Sequence, residues 1–246
     1  VAPKQEESTP GALRILDQII DKSAPLTSLG IISNTNIERT KEGLAPLSQN
    51  NALRIAAEAK VDDMFARQYF EHESPTGEGP GDLAKRAGYA YVSVGENLAL
   101  GNFKDSTAVV TAWMNSPGHR ANIMNKNFLE IGVGAKKGMF EGREVWLAVQ
   151  EFGVPLSACP AISGALNETI NSSKAQLVTV ETELSERKQE LATISPHDPI
   201  YNQKAEEYNS IVRSYNALLG KVRELIIEYN VQVNVFNSCA ASLLGH

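Results

Sequence analysis

From Tyr201 to Leu243 an uncharged residue recurs in alternating steps of four and three: Tyr201, Ala205, Tyr208, Val212, Tyr215, Leu219, Val222, Ile226, Tyr229, Val233, Phe236, Ala240 and Leu243. Such a run fits one long helix that buries a heptad seam. A second series precedes it: Leu166, Ile170, Ser173, Leu177, Val180, Leu184, Arg187, Leu191 and Ile194. Between the two lies Ser195-Pro196-His197-Asp198-Pro199, which neither helix can absorb because proline lacks an N–H and clashes with the preceding turn. Two heptad helices joined by a short turn predict an antiparallel α-helical coiled-coil hairpin over residues 156–246.

The cysteines fit that hairpin. The chain has two, Cys159 and Cys239, each 40 residues from Pro199. Folding at the turn brings them together, so a Cys159–Cys239 disulfide is expected at the base. The chain-entropy argument assigns roughly 4.5 kcal/mol to closing a loop of about 80 residues. A disulfide favours an extracytoplasmic location. One further repeat marks the second helix, where seam aromatics are followed by asparagine at Asn202, Asn209, Asn216, Asn230 and Asn237. Asparagine is a mediocre helix former. The stripe reads as a polar edge over the seam or as a hydrogen-bonding surface for another chain or carbohydrate.

Before Gly153-Val154-Pro155 the texture is different. Residues 1–10 read as a disordered lead-in, and Leu13, Leu16, Ile19 and Ile20 have helical spacing, so 1–24 is assigned as lead-in plus helix. Helices are predicted over 31–41, from Asn50 or Asn51 to about Tyr69, over 82–87, and from an Asp105 cap through Met114. In the second of these, Leu53, Ala56, Ala57, Val61, Met64 and Phe65 form the apolar stripe and Lys60 falls on the polar side. Strands are predicted over 89–100, 130–136 and 144–152, the last two around a turn at 138–142. Helices around a small antiparallel sheet make an α+β domain over residues 25–155.

Composition narrows function. The net charge of −6 gives no basic face for nucleic acid. No apolar run approaches the ~20 residues of a membrane span. There is no Gly-rich phosphate loop and no C-x-x-C pair. Of four histidines, His246 is terminal and His197 lies in the hairpin turn, which leaves His72 and His119. Ser116-Pro117 reads as a helix start with Ser116 at the N-cap. His119 then sits in the first turn, where the dipole disfavours imidazolium. Glu96 is a carboxylate in an apolar strand and needs a partner if buried. Two histidines and one carboxylate from separate segments are candidate ligands for a divalent metal such as zinc, with an open fourth position.

Several motifs carry a resemblance. They are Asn36-Ile37-Glu38-Arg39 with Gly43-Leu44-Ala45-Pro46-Leu47, Phe70-Glu71-His72-Glu73-Ser74-Pro75-Thr76-Gly77, Gly88-Tyr89, Gly95-Glu96-Asn97-Leu98-Ala99, Trp113 to Met124, Ile131-Gly132-Val133-Gly134, and Trp146 through Phe152-Gly153. Residues 31–153 resemble the CAP superfamily of cysteine-rich secretory, antigen 5 and pathogenesis-related proteins, in its bacterial secreted SCP-like branch. The resemblance implies an α-β-α sandwich whose central cleft is lined by His72, Glu96, Asn97, Ser116, His119 and Asn122. His72 and His119 match the family's two histidines and Glu96 one of its acids. The second acid is expected three residues after Trp113, where this chain has Ser116, so one anionic group is missing. This favours a secreted or surface binding module for a protein, lipid or cell-envelope ligand, with the hairpin as spacer, self-association element or second contact. A metal-dependent hydrolase using His72, Glu96 and His119 is the alternative.

Overall fold

The structure is a computed structural model that describes residues 5–16 and 25–244. Two compact units divide the chain. One holds the residues up to Cys159 together with those from Ala240 onward; the other is Pro160–Cys239.

The first unit is built on a six-stranded mixed sheet. Its strands are β1 (Glu6–Ser8), β2 (Leu13–Ile15), β3 (Ser48–Gln49), β4 (Tyr91–Gly101), β5 (Glu130–Phe140) and β6 (Arg143–Pro155). The centre is antiparallel, β4 against β6 and β6 against β5. The edges are parallel: β3 adds to β5, and β1 and β2 both add to β4. The expected antiparallel sheet is therefore its core only. Between β5 and β6 the chain turns at Glu141 and Gly142, both with positive φ (49° and 76°). Two left-handed residues match the twist of a tight hairpin, so the strands run several residues further than their alternation suggested.

Helices cover both faces. On one side α2 (Asn51–Arg67) packs on β5, β6 and α3 (Pro80–Arg86). On the other, α1 (Ser28–Lys41) packs on β5 and α4 (Ser106–Met114), which meets α5 (Pro117–Ile123). This is the α-β-α sandwich that the resemblance implies. Local chemistry sets the helix starts: Thr27 accepts from Gly30 N–H, Asn50 from Ala52 and Leu53 N–H, and Asp105 from Ala108 N–H. The approach of α2 to β5 depends on small residues. A Cβ on Gly134 would lie 2.6 Å from the Ala57 carbonyl oxygen.

Two expectations fail here. Residues 13–15 are strand, not helix: Leu13 and Ile15 lie two apart along an edge paired with β4, and pairing with that distant strand overrides the helical spacing of Leu13 and Leu16. Residues 6–8 of the supposed lead-in are likewise paired. Ile19 and Ile20 lie outside the described residues. Lys60 is the second failure, being fully buried in α2 rather than on its polar side.

The second unit contains α6 (Gly164–Thr193) and most of α7 (Tyr201–Leu244). Their partners step in opposite directions: Ser163 N–H donates to Gln232 Oε1, Tyr215 O–H to Glu181 Oε1, and Lys204 pairs with Glu190 at 3.0 Å. The hairpin is therefore antiparallel. Every seam position in both series is at least partly shielded, with Ile170, Leu177, Val222, Phe236 and Ala240 buried. Asn202, Asn209, Asn216 and Asn230 are exposed, and Asn237 is half-buried. Both cysteines are disulfide-bonded. Among the described residues no helix is long and apolar enough to cross a membrane.

Candidate functional site

β4 places Glu96 and Asn97 on opposite faces of the sheet, because successive side chains alternate. Each faces its cross-strand partner on β6, Glu96 with Glu151 and Asn97 with Gln150. All four are fully buried. Two polar pairs thus lie back to back in the middle of an otherwise apolar sheet.

The Glu96 face receives His72, whose Nδ1 is 2.6 Å from Glu96 Oε1. Its other ring nitrogen, Nε2, meets the Pro10 carbonyl oxygen. Two oxygens around one ring require two ring protons or a proton on Glu96. Lys60 of α2 donates to the His72 carbonyl at 2.5 Å and to Tyr69 Oη at 3.3 Å. Burial lowers the Lys60 pKa, while the nearby Glu96 and Glu151 carboxylates oppose that shift.

Glu151 is the most unusual group. Among the described residues its oxygens, like Glu96 Oε2, meet no hydrogen-bond partner other than the facing carboxyl of the pair. Burial pushes the Glu151 carboxyl well above the usual carboxylate range, the Glu96 charge adds to this, and Lys60 pulls the other way. Two charges side by side in the interior are unfavourable, which favours the protonated form of Glu151.

On the Asn97 face the side chains form a chain of bonds. Asn97 Nδ2 donates to the His119 carbonyl at 3.2 Å and to Gln150 Oε1 at 3.1 Å. Gln150 in turn donates to Thr35 Oγ1 of α1. Asn122 Nδ2 reaches Asn97 Oδ1 and the carbonyls of Glu96 and Ser8. His119 is 2% exposed. Its Nδ1 lies 2.8 Å from Ser116 Oγ, and its Nε2 is buried without a partner. Its pKa is lowered to about 4, chiefly by burial and then by the charge of His72.

Ser116 occupies the N-cap position of α5, as its sequence context implied, but makes no capping bond. Its hydroxyl is spent on His119 instead. Burial disfavours the His119 imidazolium, in the same sense as the expected effect of the helix start. The six residues expected in the cleft are linked to one another through these bonds. The sequence reading missed Lys60, Gln150 and Glu151. The test applied to Glu96, a charge inside an apolar strand, identifies Glu151 equally well. A second carboxylate is therefore present, supplied by β6 rather than by the position three residues after Trp113, which is Ser116.

Both His72 nitrogens are engaged, and among the described residues no group of three or more His, Cys, Asp or Glu side chains is placed to hold an ion.

The sequence pattern of the CAP family, described as the cysteine-rich secretory protein family, matches residues 32–152. This part of the chain is a CAP domain. The YkwD protein of Bacillus subtilis (strain 168) is 49% identical over 104 residues, covering 42% of this chain and 40% of YkwD. The membrane protein YlbC of the same organism is 33% identical over 107 residues, 44% of this chain and 31% of YlbC. The match thus spans less than half the length of these relatives. Among solved structures, an extracellular protein with an SCP domain from Bacillus anthracis is 30% identical, with TM-score 0.45 over 54% of this chain and 45% of that one. An outer surface protein of Borrelia burgdorferi is 22% identical, with TM-score 0.43 over 51% of this chain and 90% of that one.

Proposed function

We propose that the CAP domain acts outside the cytoplasm as a binding module through its His72–Glu96–His119 cleft, with the helical hairpin as a spacer, self-association element or second contact surface. The observation that carries this reading is the internal engagement of the histidines. His72 uses both ring nitrogens on protein oxygens, and His119 is buried and neutral. Groups arranged this way shape and stiffen a cleft. The ring nitrogen left without a partner, His119 Nε2, is itself buried. The extracytoplasmic placement is supported by the disulfide, which a reducing compartment would not maintain. The ligand class is protein, lipid or cell-envelope material. On α7, Ile227, Val231 and Val235 are exposed at successive steps of four and give the hairpin an apolar stripe suited to contact.

The alternative, a metal-dependent hydrolase, uses the same histidines and Glu96. Metal analysis separates the two. The binding module is expected to carry no stoichiometric zinc and to melt at the same temperature in chelator. One zinc per chain, lost in His72→Ala, would replace it with the hydrolase.

A further inference from the structure

Residues 5–16 lie along the outer edge of β4 in two stretches. Glu6–Ser8 pairs in parallel with 93–95, and Leu13–Ile15 with 99–101. Between them the segment leaves the strand edge opposite Glu96–Leu98, where the cleft residues gather. There His72 binds the Pro10 carbonyl, and Asn122 holds both the carbonyl and the hydroxyl of Ser8. Pro10 also packs on the backbone beside His119: a Cβ on Gly118 would lie 2.7 Å from Pro10 Cβ.

The burial of the two partners is asymmetric. Every residue of β4 is buried, whereas none of residues 5–16 is. The segment covers the edge with partly exposed side chains, of which Ala12 and Leu16 pack against the domain core. Part of its hold comes from its own main chain, through strand pairing and the Ser8 and Pro10 carbonyls, groups that any extended peptide offers. Side chains add to it: Gln5 donates to the Tyr91 carbonyl, Ser8 to Asn122, and Arg14 lies over the Phe70 and Phe140 rings. Adding a strand to an open sheet edge is a general mode of peptide recognition, in which main-chain bonds supply affinity and a few side-chain pockets supply selectivity.

We infer that the edge of β4, with His72 and Asn122, is a groove for an extended polypeptide strand, and that residues 5–16 are its intramolecular occupant. The preferred ligand is a segment of another protein with two short strand-forming stretches separated by a bend of small residues or proline, matching Ser8-Thr9-Pro10-Gly11-Ala12. His72 grips the carbonyl at the bend, and Asn122 reads the residue two before it. The chain's own segment sets the threshold, because a tethered strand competes at an effective concentration on the order of millimolar. This assignment rests on the binding-module reading and names its partner class.

The test uses the full-length chain and a full-length variant in which residues 5–16 are replaced by a Gly/Ser sequence of equal length. The probe is a fluorescein-labelled synthetic peptide of residues 5–16. The replaced variant should bind it saturably in fluorescence anisotropy, and the native chain at least about tenfold more weakly. Asn122→Ala in the replaced background should weaken binding about fivefold, the equivalent of one hydrogen bond. A replaced variant that melts cooperatively yet binds no peptide overturns the proposal. So does one that binds phosphatidylcholine vesicles but not peptide, which would assign the groove to lipid. If replacement prevents folding, hydrogen exchange on the native chain decides. Amides of 6–8 and 13–15 should exchange at least about 100-fold faster than those shared by β5 and β6, and equal rates would make the segment an integral strand and overturn the proposal. Stoichiometric zinc would unseat the binding-module reading while leaving the peptide result standing. Zinc-free protein that ignores the peptide would remove only the strand groove.

Discussion

The titrating groups of the cleft make opposite demands on pH. His119 has a folded pKa near 4, below the ~6.5 of an unfolded histidine. Between these values the unfolded chain binds a proton that the folded chain refuses, so stability falls as pH drops through that window. The cost is on the order of 3 kcal/mol by pH 4. His119→Gln should lack this slope in urea titrations at pH 7 and pH 4.5. Glu151 runs the other way. Its folded pKa is raised, so above the ordinary carboxylate range the folded chain keeps a proton that the unfolded chain has lost, and stability falls as pH rises. Glu151→Gln should therefore melt higher than the native chain at pH 8, with the two converging near pH 4. A variant that melts lower at both values would show that Glu151 has a stabilising partner. Arg39 is a buried cation, bonded to the carbonyls of Ala45, Ile123, Asn125 and Phe128. Arg39→Met strands these acceptors and should cost about 3 kcal/mol in denaturant unfolding.

Elements differ in how much of their stability their own residues supply, and this decides what the sequence reveals. The helices of the CAP domain were legible because Asn50 and Asp105 mark their starts with a side-chain oxygen and apolar positions recur on one stripe. The heptad helices were legible for the same reason over a longer run. β1, β2 and β3 were not. Each is two or three residues long, and each owes its strand state to a partner 40 or more positions away. The site was half legible. His72, Glu96 and His119 stand out as polar residues in motifs, but Lys60 hides at the border of an amphipathic helix and Glu151 behind the apolar run of β6. The hairpin offers a direct test of its seam. Phe236 is 6% exposed, and Phe236→Ala should lose about 3 kcal/mol in thermal or denaturant unfolding. Asn209 is exposed beside the seam, and Asn209→Ala should change stability by less than about 0.5 kcal/mol. Equal losses from both would mean that the asparagine stripe is structural.

For the whole molecule, the covalent link matters most. Cys159 and Cys239 bracket the hairpin, and in the chain-entropy account closing so long a loop is worth roughly 4.5 kcal/mol. Cys239→Ser, or reduction of the native chain, should lower the hairpin's unfolding temperature and leave the pH responses of His119 and Glu151 unchanged. A native-like melt after reduction would show that the seam alone sustains the unit. Because α6 and α7 run antiparallel from a crosslinked base, the hairpin is also a length that can be edited. Seven residues added to each helix keep the heptads in phase and lengthen the hairpin by about 10 Å. Seven added to one helix alone leave an unmatched overhang, and three or four added to one helix rotate its apolar stripe away from its partner. Reach is therefore quantised in paired heptads, and it can be changed without altering a single residue of the cleft.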